Sequence, residues 1–254
     1  MKMKHRYEYL DVIRGITLLS MMLYHGVWDM VYIADYPWEW FHSCLAYVWQ
    51  QSICWTFILL SGFCWSMGRR RLRRGLLVFG AGLLVSVVTI ILIPQQRVIF
   101  GVLTLLGASM LLMIPLDKLF CRIPAAVGLV SAAMLFVVTK NINRGSLGFE
   151  RIIFCSLPES WYDKGYLMTF LGFMDKNFYS TDYFSLVPWF FLFAVGYFLY
   201  WLADKNKLLE KSMQSGLTKM PVFFAPFQFM GRHSLIIYLL HQPVIYLVVS
   251  TFLK

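Results

Sequence analysis

Five long windows of this chain contain no Asp, Glu, Lys or Arg: Ser43–Gly68, Gly75–Gln96, Val98–Leu116, Ile123–Thr139 and Tyr183–Ala203. A helix crosses the hydrocarbon core of a bilayer with about 20 apolar residues, because its internal hydrogen bonds satisfy the backbone where water is absent. Two further stretches, Leu10–Ile33 and Phe229–Leu253, are apolar but carry embedded polar groups. With 59% hydrophobic and 14% charged residues, the chain has too little charge to cover a soluble surface. The predicted fold is all-α: a polytopic transmembrane helix bundle of about seven spans, forming one domain over residues 1–254 without linkers or repeats.

Charge placement predicts the orientation. If the N-terminus is cytoplasmic, the inner segments hold Lys2, Lys4, Arg6, Arg69, Arg70, Arg71, Arg73, Arg74, Lys118, Arg122, Lys205, Lys207, Lys211 and Lys219, against Glu8, Asp117, Asp204 and Glu210. The outer segments hold Arg97, Lys140, Arg144, Arg151, Lys164, Lys176 and Lys254, balanced by Asp35, Glu39, Glu150, Glu159, Asp163, Asp175 and Asp182. This is the inside excess of Lys and Arg that sets topology. The basic N-terminal stretch runs into Asp11 and Arg14 with no small-residue cleavage site, so the first span is expected to stay in the mature protein. The cations flank spans, so the partner they imply is anionic lipid and not nucleic acid. The Arg69–Arg74 cluster reads as a topology anchor, with attraction of a phosphorylated cytosolic ligand as a second role.

Cys44, Cys54, Cys64, Cys121 and Cys155 show no CxxC and no His/Cys metal spacing. They read as small packing residues, and no metal is expected. The longest break between spans, from Lys140 to Asp182, is rich in aromatics. Within it, Gly165–Met174 is apolar but too short to cross, which predicts an interfacial or re-entrant piece.

Ionisable groups inside a span are costly and usually functional. In the first span Asp11, Arg14, His25 and Asp29 fall within about 60° of one another at 3.6 residues per turn, so they form one stripe facing protein. His25 and Asp29 are spaced i, i+4 and can touch. A carboxylate on one ring nitrogen would fix the tautomer and leave the other nitrogen as a general base. A buried pair holding helices together is the alternative. The last span starts at Gly231-Arg232-His233-Ser234 and brings Ser234, Tyr238 and His241 onto one face, with Pro243 expected to disturb the preceding turn. Arg232 lies near the inner end, where it can join Arg14 in meeting phosphate. His241 lies about 13 Å deeper.

The run Leu10-Asp11-Val12-Ile13-Arg14-Gly15 followed by His25 and Asp29 resembles the first helix of the heparan-α-glucosaminide N-acetyltransferase catalytic-domain-like proteins, and is similar to that of the related acyltransferase-3 family. Phe57–Gly62, Phe100-Gly101-Val102-Leu103, Asp182-Tyr183-Phe184 with Pro188-Trp189, and Gly231–Ser234 through Tyr238 to His241-Gln242-Pro243 extend the resemblance nearly end to end. Thr104 departs from it, standing where many bacterial relatives carry a histidine. The resemblance implies an integral protein of the bacterial plasma membrane that takes acetyl-CoA, or another acyl-CoA, from the cytoplasm. The acceptor it implies is a carbohydrate or other hydroxyl or amine at the outer face, and a homodimer falls within the same expectation. It places catalysis on His25 with Asp29, or on His42 if the lysosomal members are the guide. It places donor binding on Asp11, Arg14, Arg232 and Ser234, and acceptor contacts on His42, Asp182, Tyr238 and His241. A small proton-coupled transporter or exporter is the other class that buried Asp, Arg and His residues allow.

Overall fold

The structure is a computed structural model describing residues 7–210 and 220–252. Lys2, Lys4, Arg6, Lys211, Lys219 and Lys254, which enter the charge argument, lie outside the described residues. Seven helices among the described residues are long and apolar enough to cross a membrane. They are α1 (Glu8–Tyr32), α2 (Cys44–Met67), α3 (Arg71–Leu92), α4 (Val102–Phe120), α5 (Ala125–Thr139, whose span runs on to Arg144), α7 (Leu186–Lys205) and α9 (Ser234–Phe252). The polytopic helical architecture read from the charge-free windows is therefore the one observed.

Two features are additions to that reading. The segment after α5 forms a two-stranded antiparallel hairpin, β1 (Ser146–Phe149) with β2 (Ile152–Ser156), followed by the short helix α6 (Tyr166–Leu171) within the apolar stretch expected to be interfacial. The second is a helix break. The stretch expected to begin the last span is instead a separate helix, α8 (Ala225–Arg232), and His233 alone divides it from α9. Pro243 does not interrupt α9, which continues through it.

The chain divides into two compact units, one of residues 1–60 and 206–254, the other of residues 61–205. In the first, α1 carries Glu8 and Asp11 in its opening turn, where carboxylates meet the positive end of the helix dipole. Leu18, Met21 and Ile53 form its core, with Tyr24, Trp49, Phe57, Met230, Ile237 and Tyr238 packed against them. The Trp49 indole N–H donates to Ser20 Oγ at 2.8 Å. Glycine sets the approach of α1 and α8. A Cβ on Gly15 would stand 1.9 Å from the Phe227 carbonyl oxygen, and one on Gly231 would stand 1.9 Å from the Asp11 carbonyl oxygen. Lipid offers no hydrophobic drive between helices, so such backbone contact through small residues is how they hold.

The second unit uses the same device. Gly82 of α3 lies against Thr104 of α4, and Gly107 of α4 lies against the Phe79 backbone. At one end Asp117 takes Arg71 Nη1 at 2.6 Å and the Tyr197 hydroxyl at 2.7 Å. The Arg71 guanidinium also lies over the Trp65 ring, 4.0 Å from its centroid.

Candidate functional site

Most of the residues singled out by sequence fall in the unit formed by 1–60 and 206–254, at two levels along α1. At the first level Asp11 joins two arginines. Arg14 Nη1 donates to Asp11 Oδ1 at 3.1 Å, and Arg232 Nε lies 3.8 Å from Asp11 Oδ2. Arg14 also reaches the Gly231 carbonyl at 3.5 Å. The close contact of Gly15 and Gly231 with the opposing backbones is what brings these side chains together. Glu8 is occupied separately, accepting the Met220 N–H and the Gln228 amide, and Gln228 in turn accepts from Arg232 at 3.4 Å. The expected convergence of Arg14 and Arg232 is thus present, with Asp11 between them. Ser234 opens α9 directly beyond this cluster.

The second level is about 16 Å further along α1, eleven residues at 1.5 Å each. Here the structure corrects one expectation. Among the described residues no hydrogen bond joins His25 to Asp29. Asp29, fully buried, instead accepts the Gln242 amide N–H on Oδ1 at 2.9 Å. The i, i+4 spacing made His25 and Asp29 neighbours on one helix face, but the carboxylate turns to the nearer donor on α9. His25 has a different companion: its ring centroid lies 4.9 Å from that of His241, tilted by 59°.

His241 is the best-defined imidazole of the site. It is 6% exposed. Its Nδ1 meets the Tyr238 carbonyl one turn back; a carbonyl only accepts, so the contact favours the tautomer with the proton on Nδ1. Its Nε2 is buried and has no partner among the described residues, and the same holds for Asp29 Oδ2 and Gln242 Oε1. Buried polar groups are normally satisfied, so these three atoms, on two consecutive residues of α9 and on the Asp29 bonded to one of them, are exceptions. The Tyr238 ring stacks at a tilt on His241, 5.1 Å between centroids. Gln242 was not assigned a role from sequence. An amide inside an otherwise apolar span was the available signal.

The other named residues lie apart. His42 is exposed in the short turn Glu39–His42, its ring edge-on to Tyr32 at 6.0 Å. Asp182 belongs to the unit of residues 61–205, where its Oδ2 accepts the Val102 N–H at 3.3 Å and so satisfies the start of α4. Burial pushes its carboxyl up to about 6, against the pull of that N–H. It does the work of a helix cap. Thr104 is buried in the same unit, and its Oγ1 is without a partner among the described residues. No group of three or more His, Cys, Asp or Glu side chains among the described residues is placed to hold a metal.

No curated protein and no solved structure matches the chain. A family model does, over residues 6–243. Its description is heparan-alpha-glucosaminide N-acetyltransferase, catalytic, and the chain belongs to that family of membrane acetyltransferase-like proteins.

Proposed function

We propose that this protein moves an acetyl group from acetyl-CoA, bound from the cytoplasm, to an amine on a sugar at the outer face. The observation that carries the reading is His241. It has what a general base needs: a free ring nitrogen, and a tautomer fixed by a partner on the other nitrogen. In this reading the base is His241, with His25 as the ring beside it, in place of a His25–Asp29 pair.

The acceptor class follows from counting hydrogen-bonding roles. With Nδ1 protonated, neutral His241 presents Nε2 as an acceptor. Asp29 Oδ2, as a carboxylate, and Gln242 Oε1 are acceptors as well. Three acceptors favour a guest with several N–H donors, and an amine brings more of these than a hydroxyl. The amine nitrogen attacks the thioester carbonyl carbon and the C–S bond breaks. The proton leaving the nitrogen passes to His241 Nε2 and from there to the departing sulfur. The amine's second N–H donates to Asp29 Oδ2, and Gln242 holds that carboxylate in place, which keeps the nitrogen in line.

Arg14 and Arg232 are the residues that would meet the donor's phosphates. Two guanidiniums share one carboxylate in Asp11, and Arg232 stands partly in solvent. A donor held there presents its thioester at the level of His241. Replacing either arginine by Gln is expected to weaken acetyl-CoA binding by tens-fold, since a charge-assisted hydrogen bond contributes roughly 1.5–3 kcal/mol. Titration calorimetry reads this, and unchanged affinity in both variants would place the donor elsewhere.

The orientation rests on the charge asymmetry, which puts the Arg69–Arg74 cluster on the cytoplasmic side. An impermeant thiol reagent applied to intact cells is expected to leave Leu72→Cys unlabelled in a chain lacking its native cysteines. Labelling from outside reverses the orientation, and with it the side on which the donor enters.

A further inference from the structure

The hairpin that follows α5 presents an apolar edge that the reaction does not use. Ile152, Ile153 and Phe154 of β2 are 61%, 64% and 58% exposed. All five residues of β2 are exposed, so neither of its faces is covered by protein. Its partner strand is half buried and is held firmly to the end of the span. Asn141, two residues beyond α5 and itself buried, donates its backbone N–H to the Gly148 carbonyl at 3.2 Å and its side-chain amide to the Glu150 carbonyl at 3.0 Å. The Leu157 N–H closes the far side on the Gly145 carbonyl at 2.8 Å. Lys140, the first residue past α5, pairs with Glu150 at 3.7 Å. The hairpin therefore cannot swing away from the membrane boundary reached by α5.

An exposed apolar edge in water invites pairing with other strands, and the bulge at Phe154, left over between the Gly148–Ile153 and Leu147–Cys155 pairs, turns this one away from it. Here it continues the exposed apolar face of the span that precedes it. The exposed apolar residues of α5, among them Val130, Met134 and Val137, form a span that ends within a few residues of β1. The unpaired N–H and C=O groups of β2 are too costly for the hydrocarbon core but are satisfied by water among headgroups. Arg151, exposed at the turn, suits lipid phosphate. We infer that the β1–β2 hairpin is a membrane-surface anchor, with Ile152, Ile153 and Phe154 seated in the lipid at the end of α5 and Arg151 among the phosphates.

The native chain in nanodiscs containing a photoactivatable phosphatidylcholine tests this directly. Carbene insertion into the peptide spanning Ile152–Phe154 is expected, alongside insertion into Val130–Val137 of α5 as an internal reference. An unlabelled hairpin beside a labelled α5 overturns the inference. So does a crosslink joining β2 of two copies, which assigns the edge to a second chain. A spin label at Phe154→Cys, in a chain lacking its native cysteines, is expected to be more accessible to oxygen than to a water-soluble nickel chelate, at about 5–10 Å below the headgroup boundary. The reverse order of accessibility overturns it equally.

Discussion

Replacing His241 with Ala is expected to lower acetyl transfer by roughly 10²–10⁴-fold, the usual contribution of a general base, while acetyl-CoA still binds. The binding arginines lie at the other level of α1, about 16 Å away along the helix, so the two functions separate cleanly. His25→Ala is expected to cost less. It removes the neighbouring ring but leaves the nitrogen with the fixed tautomer in place. Asp29→Asn and Gln242→Ala are intermediate cases, because each disturbs the acceptor's alignment and leaves the base intact. A radiolabelled acetyl-CoA assay with amino sugars as acceptors ranks these variants. His42→Ala belongs in the same experiment, and near-normal turnover is expected from it. Full activity in His241→Ala with none in His42→Ala would move the base to the exposed turn and leave the buried cluster a structural role.

The largest expected effect on folding comes from Gly231→Val. Even the first added carbon would stand 1.9 Å from the Asp11 carbonyl oxygen, and the obstacle is backbone, which cannot rotate aside. Separating α1 from α8 also pulls Arg232 from Asp11. The cost is expected at or above the upper end of the roughly 1–3 kcal/mol typical of over-packing, seen as a lower midpoint in a thermal size-exclusion assay and as loss of acetyl-CoA binding. Gly15→Val is expected to behave alike, since its obstacle is the Phe227 carbonyl oxygen at the same distance. Gly26→Ala is the control. It lies on α1 beside His25, yet its added carbon would meet nothing within 4 Å. It is expected to be neutral or stabilising, as Ala is favoured over Gly inside a helix by about 1 kcal/mol. Equal destabilisation by Gly26→Ala would show that α1 tolerates no added carbon anywhere, and the backbone contact would lose its special standing.

The spans were legible because lipid leaves few choices. A charge-free window of sufficient length has one way to satisfy its backbone, and the helices follow those windows closely. The stripe on α1 was legible for the same reason, since four ionisable groups within 60° cannot all face lipid. What periodicity does not carry is competition between partners. Sequence places His25 and Asp29 one turn apart, but whether they bond depends on what the facing helix offers. Gln242 offers a donor, and Asp29 takes it. Asp182 shows the same limit: its position in a motif says nothing about the Val102 N–H that it caps. The hairpin left no period-two signal because β2, Ile152–Ser156, has no alternation of apolar and polar residues, and neither of its faces is covered by protein. The helix break at His233 also left no mark, there being neither Pro nor Gly at that position.

The pairing of Asp29 with Gln242 has a consequence for the order of assembly. Chains are made from the N-terminus, so α1 reaches the membrane before α9 and carries a carboxylate whose partner lies there. The unit of residues 61–205 is contiguous and can complete its packing while α9 is still being synthesised. The unit holding the candidate site is drawn from stretches on either side of it in sequence, so its contacts close over the longest separations in the chain, which form slowly. Until α8 and α9 arrive, the stripe of α1 that carries Asp11, Arg14, His25 and Asp29 lacks the partners that complete it. A nascent chain halted before Ser234 would hold a finished unit of residues 61–205 and neither His241 nor Gln242, so the candidate site is completed only when α9 is made.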